Sequence, residues 1–318
     1  MMSEIQSPKK PLTTAAYYMM RGLPLKPLLG RQMVSPSRSN KALQPEKFSP
    51  EVDVLTRQSA TSRIITICAS TPKLHTNTHV IFLHGGRYAM QALSFHWRFA
   101  ERLALQTGSY VSLLDFPLPP EVQCMETLNS VMRMYTTLSL LYQHHRLILM
   151  GDSAGGGLAL ALRQLLNNSS ANNPAGKNKR HALPDRMVLY SPWLDICLLN
   201  LDNHSYHTRR EALLPLSDLQ KSGKRYAGGL CLHDPRCSPL YGQVEELGKL
   251  QIFISEDELF YPDCIRFYEK AAQAIGTEIE MICEKRRLHC WPLLGPAFEQ
   301  ENNFRQMANF CGLSLSRH

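Results

Sequence analysis

The stretch that most limits what this chain can become runs from His145 to Leu165, HRLILMGDSAGGGLALALRQL. Residues 146–150 are a short apolar run of the kind that forms a buried strand, and Leu158, Ala161, Leu162 and Leu165 recur at helical spacing. Between them, Gly151-Asp152-Ser153-Ala154-Gly155 reads G-x-S-x-G. A strand that turns into a helix at a serine needs bare flanking positions, because neighbouring backbone approaches closely there. The turn lifts the Ser153 hydroxyl above the sheet. It also sets the Ala154 N–H at a helix N-terminus, where unpaired donors and the helix dipole favour negative charge.

The surrounding pattern supplies the sheet that such a turn requires. Strands are predicted at residues 63–69, 79–83, 110–116, 146–150, 186–190, 249–254 and 278–283, and helices at 94–106, 125–142, 154–166 and 262–274. Alternating strands and helices predict a doubly wound α/β fold, with a mostly parallel central sheet flanked by helices. Sites in such folds lie beyond the carboxyl ends of the strands. Residues 13–30 carry an apolar helical face, and 197–241 interrupt the sheet with two helical pieces near 215–226; together they predict a helical cap. The polar segments 1–12, 34–50 and 167–184 read as connections or loops. We expect one domain over 1–318, with a core of about 51–196 and 242–318 and a cap from about 1–50 and 197–241.

Composition excludes several classes. The chain has 318 residues, 44% hydrophobic and 19% charged, and no apolar run nears the ~20 residues of a membrane span. Ala15–Leu29 is broken by Arg21, Pro24, Lys26 and Pro27, against a membrane helix or a signal sequence. Nine cysteines without metal-type spacing fit reduced thiols and a cytoplasmic setting. The net charge is +8, and the first fifty residues hold eight Lys or Arg against Glu4 and Glu46. Those charges are dispersed among prolines and serines, which favours a solvated flank and no nucleic-acid partner; peripheral membrane contact through this basic segment is the other reading.

A serine hydroxyl needs a base, and the base needs a third group to fix its tautomer. On sheets of this kind the order along the chain is serine, acid, histidine. Strand 249–254 runs into Ser255-Glu256-Asp257-Glu258-Leu259, three consecutive carboxylates. Asp257 is chosen for its shorter side chain, with Glu256 and Glu258 as alternatives. After the last strand comes Leu288-His289-Cys290-Trp291-Pro292, which makes His289 the base. A second donor of N–H groups should follow strand 79–83, at His84-Gly85-Gly86-Arg87-Tyr88.

These motifs, with Ser191-Pro192-Trp193-Leu194-Asp195, Asp234-Pro235 and Ser238-Pro239-Leu240, resemble in order the hormone-sensitive-lipase-like α/β-hydrolases, over about residues 75–300. The family contains carboxylesterases, lipases and arylacetamide-deacetylase-like enzymes. The resemblance implies an α/β-hydrolase fold with a helical cap, a Ser153, Asp257 and His289 triad, and an oxyanion hole from Gly85, Gly86, Arg87 and Ala154. It implies a small-molecule ester substrate, short-to-medium acyl or lipid-like, cleaved through a serine acyl-enzyme with no metal or cofactor. An amidase or deacetylase, and a receptor that binds without turnover, are the alternatives. Two positions depart from the family: Arg87 stands where a third glycine is usual, and Asp115-Phe116-Pro117-Leu118-Pro119-Pro120-Glu121 replaces a tyrosine-arginine motif.

Overall fold

Strands without a polar face must be covered on both sides, and the central strands of this chain have almost none. The computed structural model describes residues 11–22, 47–59, 61–71, 74, 76–171, 182–199, 201, 205–295 and 301–316. Within them lie strands β1 (Val52–Ser59), β2 (Ser62–Ala69), β3 (Thr78–Leu83), β4 (Tyr110–Asp115), β5 (Arg146–Asp152), β6 (Arg186–Tyr190), β7 (Gly248–Ser255) and β8 (Thr277–Glu284). The helices are α1 (Pro11–Gly22), α2 (Ser94–Thr107), α3 (Cys124–Leu141), α4 (Ser153–Ala171), α5 (Tyr206–Arg210), α6 (Leu216–Ala227), α7 (Tyr261–Ala271) and α8 (Glu301–Phe310). The sheet order is β1-β2-β4-β3-β5-β6-β7-β8. Pairing is antiparallel for β1 with β2 and β2 with β4, and parallel from β4 to β8.

Alternate side chains of the central strands feed two cores. Ile81, Leu83, Leu149, Leu189 and Ile252 pack on one face with Leu128, Val131, Leu158 and Phe267 of α3, α4 and α7. Val80, Phe82, Ile148, Met150 and Val188 pack on the other with Trp97, Leu103, Phe304 and Met307 of α2 and α8. Helices therefore cover both faces, as the run of apolar strands requires.

All seven predicted strands and the four core helices are present, and three features differ. β1 was not predicted: it is an edge strand exposed at every position after Val52, so no apolar stripe marks it. α8 was not predicted either. α4 continues past residue 166 through a polar end expected to be loop, because Asn167 reaches across to donate to the carbonyls of Glu245 and Glu246 at 3.3 and 2.8 Å. Residues 1–10 and 23–46 of the expected N-terminal segments, and 172–181 of the expected loop, lie outside the described residues.

The segment between β6 and β7 contributes α5, α6 and a 3-10 turn, Pro239–Tyr241, and among its described residues no strand. α1 meets it: the Tyr17 hydroxyl donates to the Arg210 carbonyl at 2.9 Å, and Tyr17 packs with Ala212 and Leu288. Both segments expected to form a cap thus meet at Leu288, the residue before His289. The carboxyl ends of β3, β5, β6 and β7 stand side by side, with Leu83 paired to Gly151, Asp152 to Tyr190 and Tyr190 to Phe253.

Truncation should separate centre from edge. Ile81→Ala, in the fully buried β3, should cost about 2–5 kcal/mol of stability. Leu55→Ala on half-exposed β1 should stay within roughly 0.5 kcal/mol. Urea denaturation checks this, and equal losses at both positions would contradict the sheet order.

Candidate active site

The turn from β5 to α4 is built by exclusion. A Cβ on Gly151 would strike the Gly155 carbonyl, and one on Gly155 would strike the carbonyls of Leu83 and His84. Ser153 itself takes a left-handed φ of 51°, unfavourable for a residue with a Cβ. Its carbonyl accepts the Trp193 N–H at 2.9 Å, which ties the turn to the end of β6. Ala154 lies in the first turn of α4, where helix geometry provides its N–H with no acceptor.

Asp152 joins this turn to the glycine loop after β3. Its Oδ1 accepts the Gly85 N–H at 2.7 Å and lies 3.1 Å from His96 Nε2. His96 Nδ1 accepts the Leu93 N–H at 2.7 Å, which leaves the ring proton to Nε2, the nitrogen beside the carboxylate. Burial works to raise the Asp152 pKa, but His96 and the Gly85 N–H outweigh it and hold the carboxyl below its ordinary value. This corrects one expectation: the Gly85 N–H is bound to Asp152 and is not aimed at a substrate oxygen.

The rest of the loop runs through three successive positive φ angles, 120° at Gly86, 59° at Arg87 and 55° at Tyr88. Helix α6 of the cap holds it there. Ser222 donates its hydroxyl to the Arg87 carbonyl, and the Tyr88 ring stacks on Tyr226 with centroids 3.6 Å apart and planes 4° from parallel. The Arg87 side chain is buried near Asp218 and Glu211; burial draws its pKa down against the pull of those two acids. Ser222 and Tyr226 were not singled out in the sequence. Their four-residue spacing on one helix face was the available signal.

The three consecutive carboxylates diverge. The turn after β7 is closed by the Glu258 N–H donating to the Ser255 carbonyl at 3.1 Å, and each side chain leaves it in its own direction. Glu256 pairs with Lys285 at 3.5 Å near the surface. Asp257 turns away from His289, taking the Arg210 guanidinium of α5 and the Arg286 N–H of the turn after β8. Glu258 reaches His289: its Oε2 lies 2.6 Å from Nδ1, while Oε1 accepts the Ser191 hydroxyl at 2.9 Å and the Ser255 N–H at 3.1 Å. The expectation that Asp257 orients the imidazole is therefore corrected. The longer glutamate at the next position makes the contact, and the aspartate is occupied by arginine.

His289 is fixed from the other side as well. Cys290 adopts a left-handed φ of 56°, and its N–H donates to the Ser191 hydroxyl at 3.1 Å. The imidazole Nε2 is buried and has no hydrogen-bond partner among the described residues. Burial, the largest influence, would lower the His289 pKa, but Glu258, then Glu211 and Asp152, outweigh it and the net direction is upward. Burial pushes Glu258 upward too, against the pull of His289 and Ser191. Among the described residues no group of three or more His, Cys, Asp or Glu is arranged to hold a metal ion.

Comparison with known proteins gives the family of the fold. The family profile described as alpha/beta hydrolase fold matches residues 80–293. The chain belongs to that family. It is accordingly a hydrolase enzyme. An acetyl-hydrolase of Streptomyces hygroscopicus is 30% identical over 224 residues, 70% of either chain. An esterase of Acinetobacter venetianus is 29% identical over 259 residues, 78% of this chain and 81% of its own. The crystal structure of an esterase from the bacterial hormone-sensitive lipase family superposes with a TM-score of 0.73 at 21% identity, covering 96% of this chain and 97% of that one. Among the described residues no helix is long and apolar enough to cross a membrane.

The two acids differ in a measurable way. The His289 ring should titrate above its ordinary 6.5, because the Glu258 carboxylate stabilises the imidazolium. Glu258→Gln removes that charge and leaves burial opposed only by Glu211 and Asp152, so the value should fall; Asp257→Asn should leave it in place. Histidine NMR titration reads this directly, and a fall in Asp257→Asn alone would restore the aspartate to the pair.

Proposed function

We propose that this chain hydrolyses carboxylic esters through a covalent serine intermediate, with Ser153 as nucleophile, His289 as general base and Glu258, in place of Asp257, as the group that orients it. One observation carries the reading: the buried 2.6 Å bond between Glu258 and His289 Nδ1, on an imidazole whose Nε2 is left without a partner. A proton held on Nδ1 by the carboxylate leaves the Nε2 lone pair free to accept another. β5 and β7 flank β6, so the turn carrying Ser153 and the turn carrying Glu258 lie at the same end of the sheet.

In this mechanism Nε2 of His289 takes the Ser153 proton as the oxygen attacks the ester carbonyl. Glu258 stabilises the resulting imidazolium without itself taking the proton. The carbonyl oxygen gains its negative charge beside the N–H groups of Gly86, Arg87 and Ala154. The imidazolium then protonates the departing alcohol, and water, deprotonated by the same nitrogen, releases the acid and restores the serine. The substrate class we assign is short-to-medium acyl or lipid-like esters, in keeping with relatives named acetyl-hydrolase, esterase and triacylglycerol lipase. α1, α5 and α6 serve as the cap over this site.

Ser153→Ala should lower turnover of a chromogenic acyl ester by roughly a thousandfold or more, and should abolish labelling by a fluorophosphonate. For the unmodified chain, kcat/KM should rise with pH as His289 loses its proton, on a limb above the ordinary histidine value. Wild-type turnover in the serine variant would remove the mechanism, whatever the fold.

A further inference from the structure

A row of aromatic and basic side chains extends from α1 to α5 past the turn before His289, with Tyr18, Met19 and Tyr206 open to solvent. On α1, Tyr18 is 48% and Met19 63% exposed, and Arg21 is exposed one turn on from Tyr18. The Arg286 guanidinium lies 6.0 Å from the centre of the Tyr18 ring, and its backbone N–H donates to Asp257. Asp257 also binds Arg210, whose guanidinium lies 5.1 Å from the ring centre of Tyr206, itself 51% exposed. Contact therefore runs without a break from α1 to α5, across the turn that leads into His289.

Charge along this row is one-sided. Arg209 and Lys285 are exposed beside it. Among the described residues its carboxylates are Asp257, buried between the two arginines, Glu256, paired with Lys285, and Glu211, buried and accepting backbone N–H groups. Among the described residues five cations thus stand against three acids, each engaged. Nothing in the proposed chemistry uses Tyr18, Met19, Tyr206 or these exposed cations.

We propose that this row docks the protein on an anionic lipid surface, with the mouth of the site toward the headgroups. Tyrosine rings and a methionine partition to the headgroup boundary, and arginines beside them bind lipid phosphates. A second copy of the chain fits worse, since a twofold contact would set the same cations against each other. The inference rests on the ester-hydrolase reading only for the purpose of the docking, which is access to substrate held in the lipid.

The test is sedimentation of full-length Ser153→Ala protein with vesicles, so that binding is read without turnover. Phosphatidylcholine vesicles containing phosphatidylglycerol should carry the protein down, pure phosphatidylcholine much less, and added salt should weaken the difference. Tyr18→Ser with Met19→Ser should reduce the affinity about tenfold or more. Arg21→Gln and Arg209→Gln should each reduce it about fivefold. In the otherwise wild-type chain these variants should hydrolyse a water-soluble ester at the unmodified rate, which also confirms that they fold. Equal sedimentation with both vesicles, sedimentation with neither, or full affinity in the Tyr18 and Met19 variant would overturn the proposal. So would finding the row occupied by a second copy or by an acidic protein. Should Ser153→Ala retain ester turnover, the catalytic reading falls while the vesicle result stands.

Discussion

The buried contact between Glu258 and His289 constrains everything around it. Taking a carboxylate and an imidazole out of water is costly, and their attraction offsets that cost only if the remaining lone pairs find donors. Here the second carboxylate oxygen takes the Ser191 hydroxyl and the Ser255 N–H, and Ser191 in turn accepts the N–H of Cys290. One hydroxyl therefore links the ends of β6 and β7 and the loop of His289. The histidine remains easier to protonate than a free one even though burial is the strongest single influence on it. Breaking the pair by removing one partner would strand the other, at a cost of roughly 3–5 kcal/mol by analogy with buried ion pairs.

How much of this could be read from the sequence follows from what each feature depends on. Strands β2 to β8 and helices α2, α3, α4 and α7 were legible because burial writes a period into the chain. β1 was not, since seven of its eight residues are exposed and carry no stripe. At the site, Ser153 and His289 were marked by the glycine turn and by chain order. The acid was a choice among three neighbours, and spacing cannot say which of three consecutive side chains in a turn faces inward. Residue type misled there. Aspartate looked suited to a short reach, but the turn presents position 258 to the imidazole and commits position 257 to Arg210. Gly85 was misjudged for a related reason, because the acceptor for its N–H comes from Asp152, 67 residues away.

The loop after β3 is held by helix α6 as well as by the sheet. Left-handed angles at Arg87 and Tyr88 each cost about 1–2 kcal/mol for residues with a Cβ, so the loop would relax unless it were held. From below, Asp152 holds its first N–H. From above, Ser222 holds the Arg87 carbonyl and Tyr226 holds the Tyr88 ring. Displacing α6 would release both upper contacts together.

Arg87 carries this coupling further. A glycine would accept the backbone angle at little cost and would still offer Ser222 its carbonyl, but it would bring no side chain. The arginine brings a buried positive charge beside Asp218 and Glu211. Glu211 lies only 3% exposed and already accepts the N–H groups of Leu213, Leu214 and Leu259, so it ties the start of α6 to the turn bearing Glu258. Its charge raises the Glu258 pKa and draws the His289 pKa up as well, so it acts on both partners of the buried contact. The guanidinium counters that charge. Strain accepted at one backbone position thus comes with a buried cation beside Glu211, the acid that acts on both Glu258 and His289.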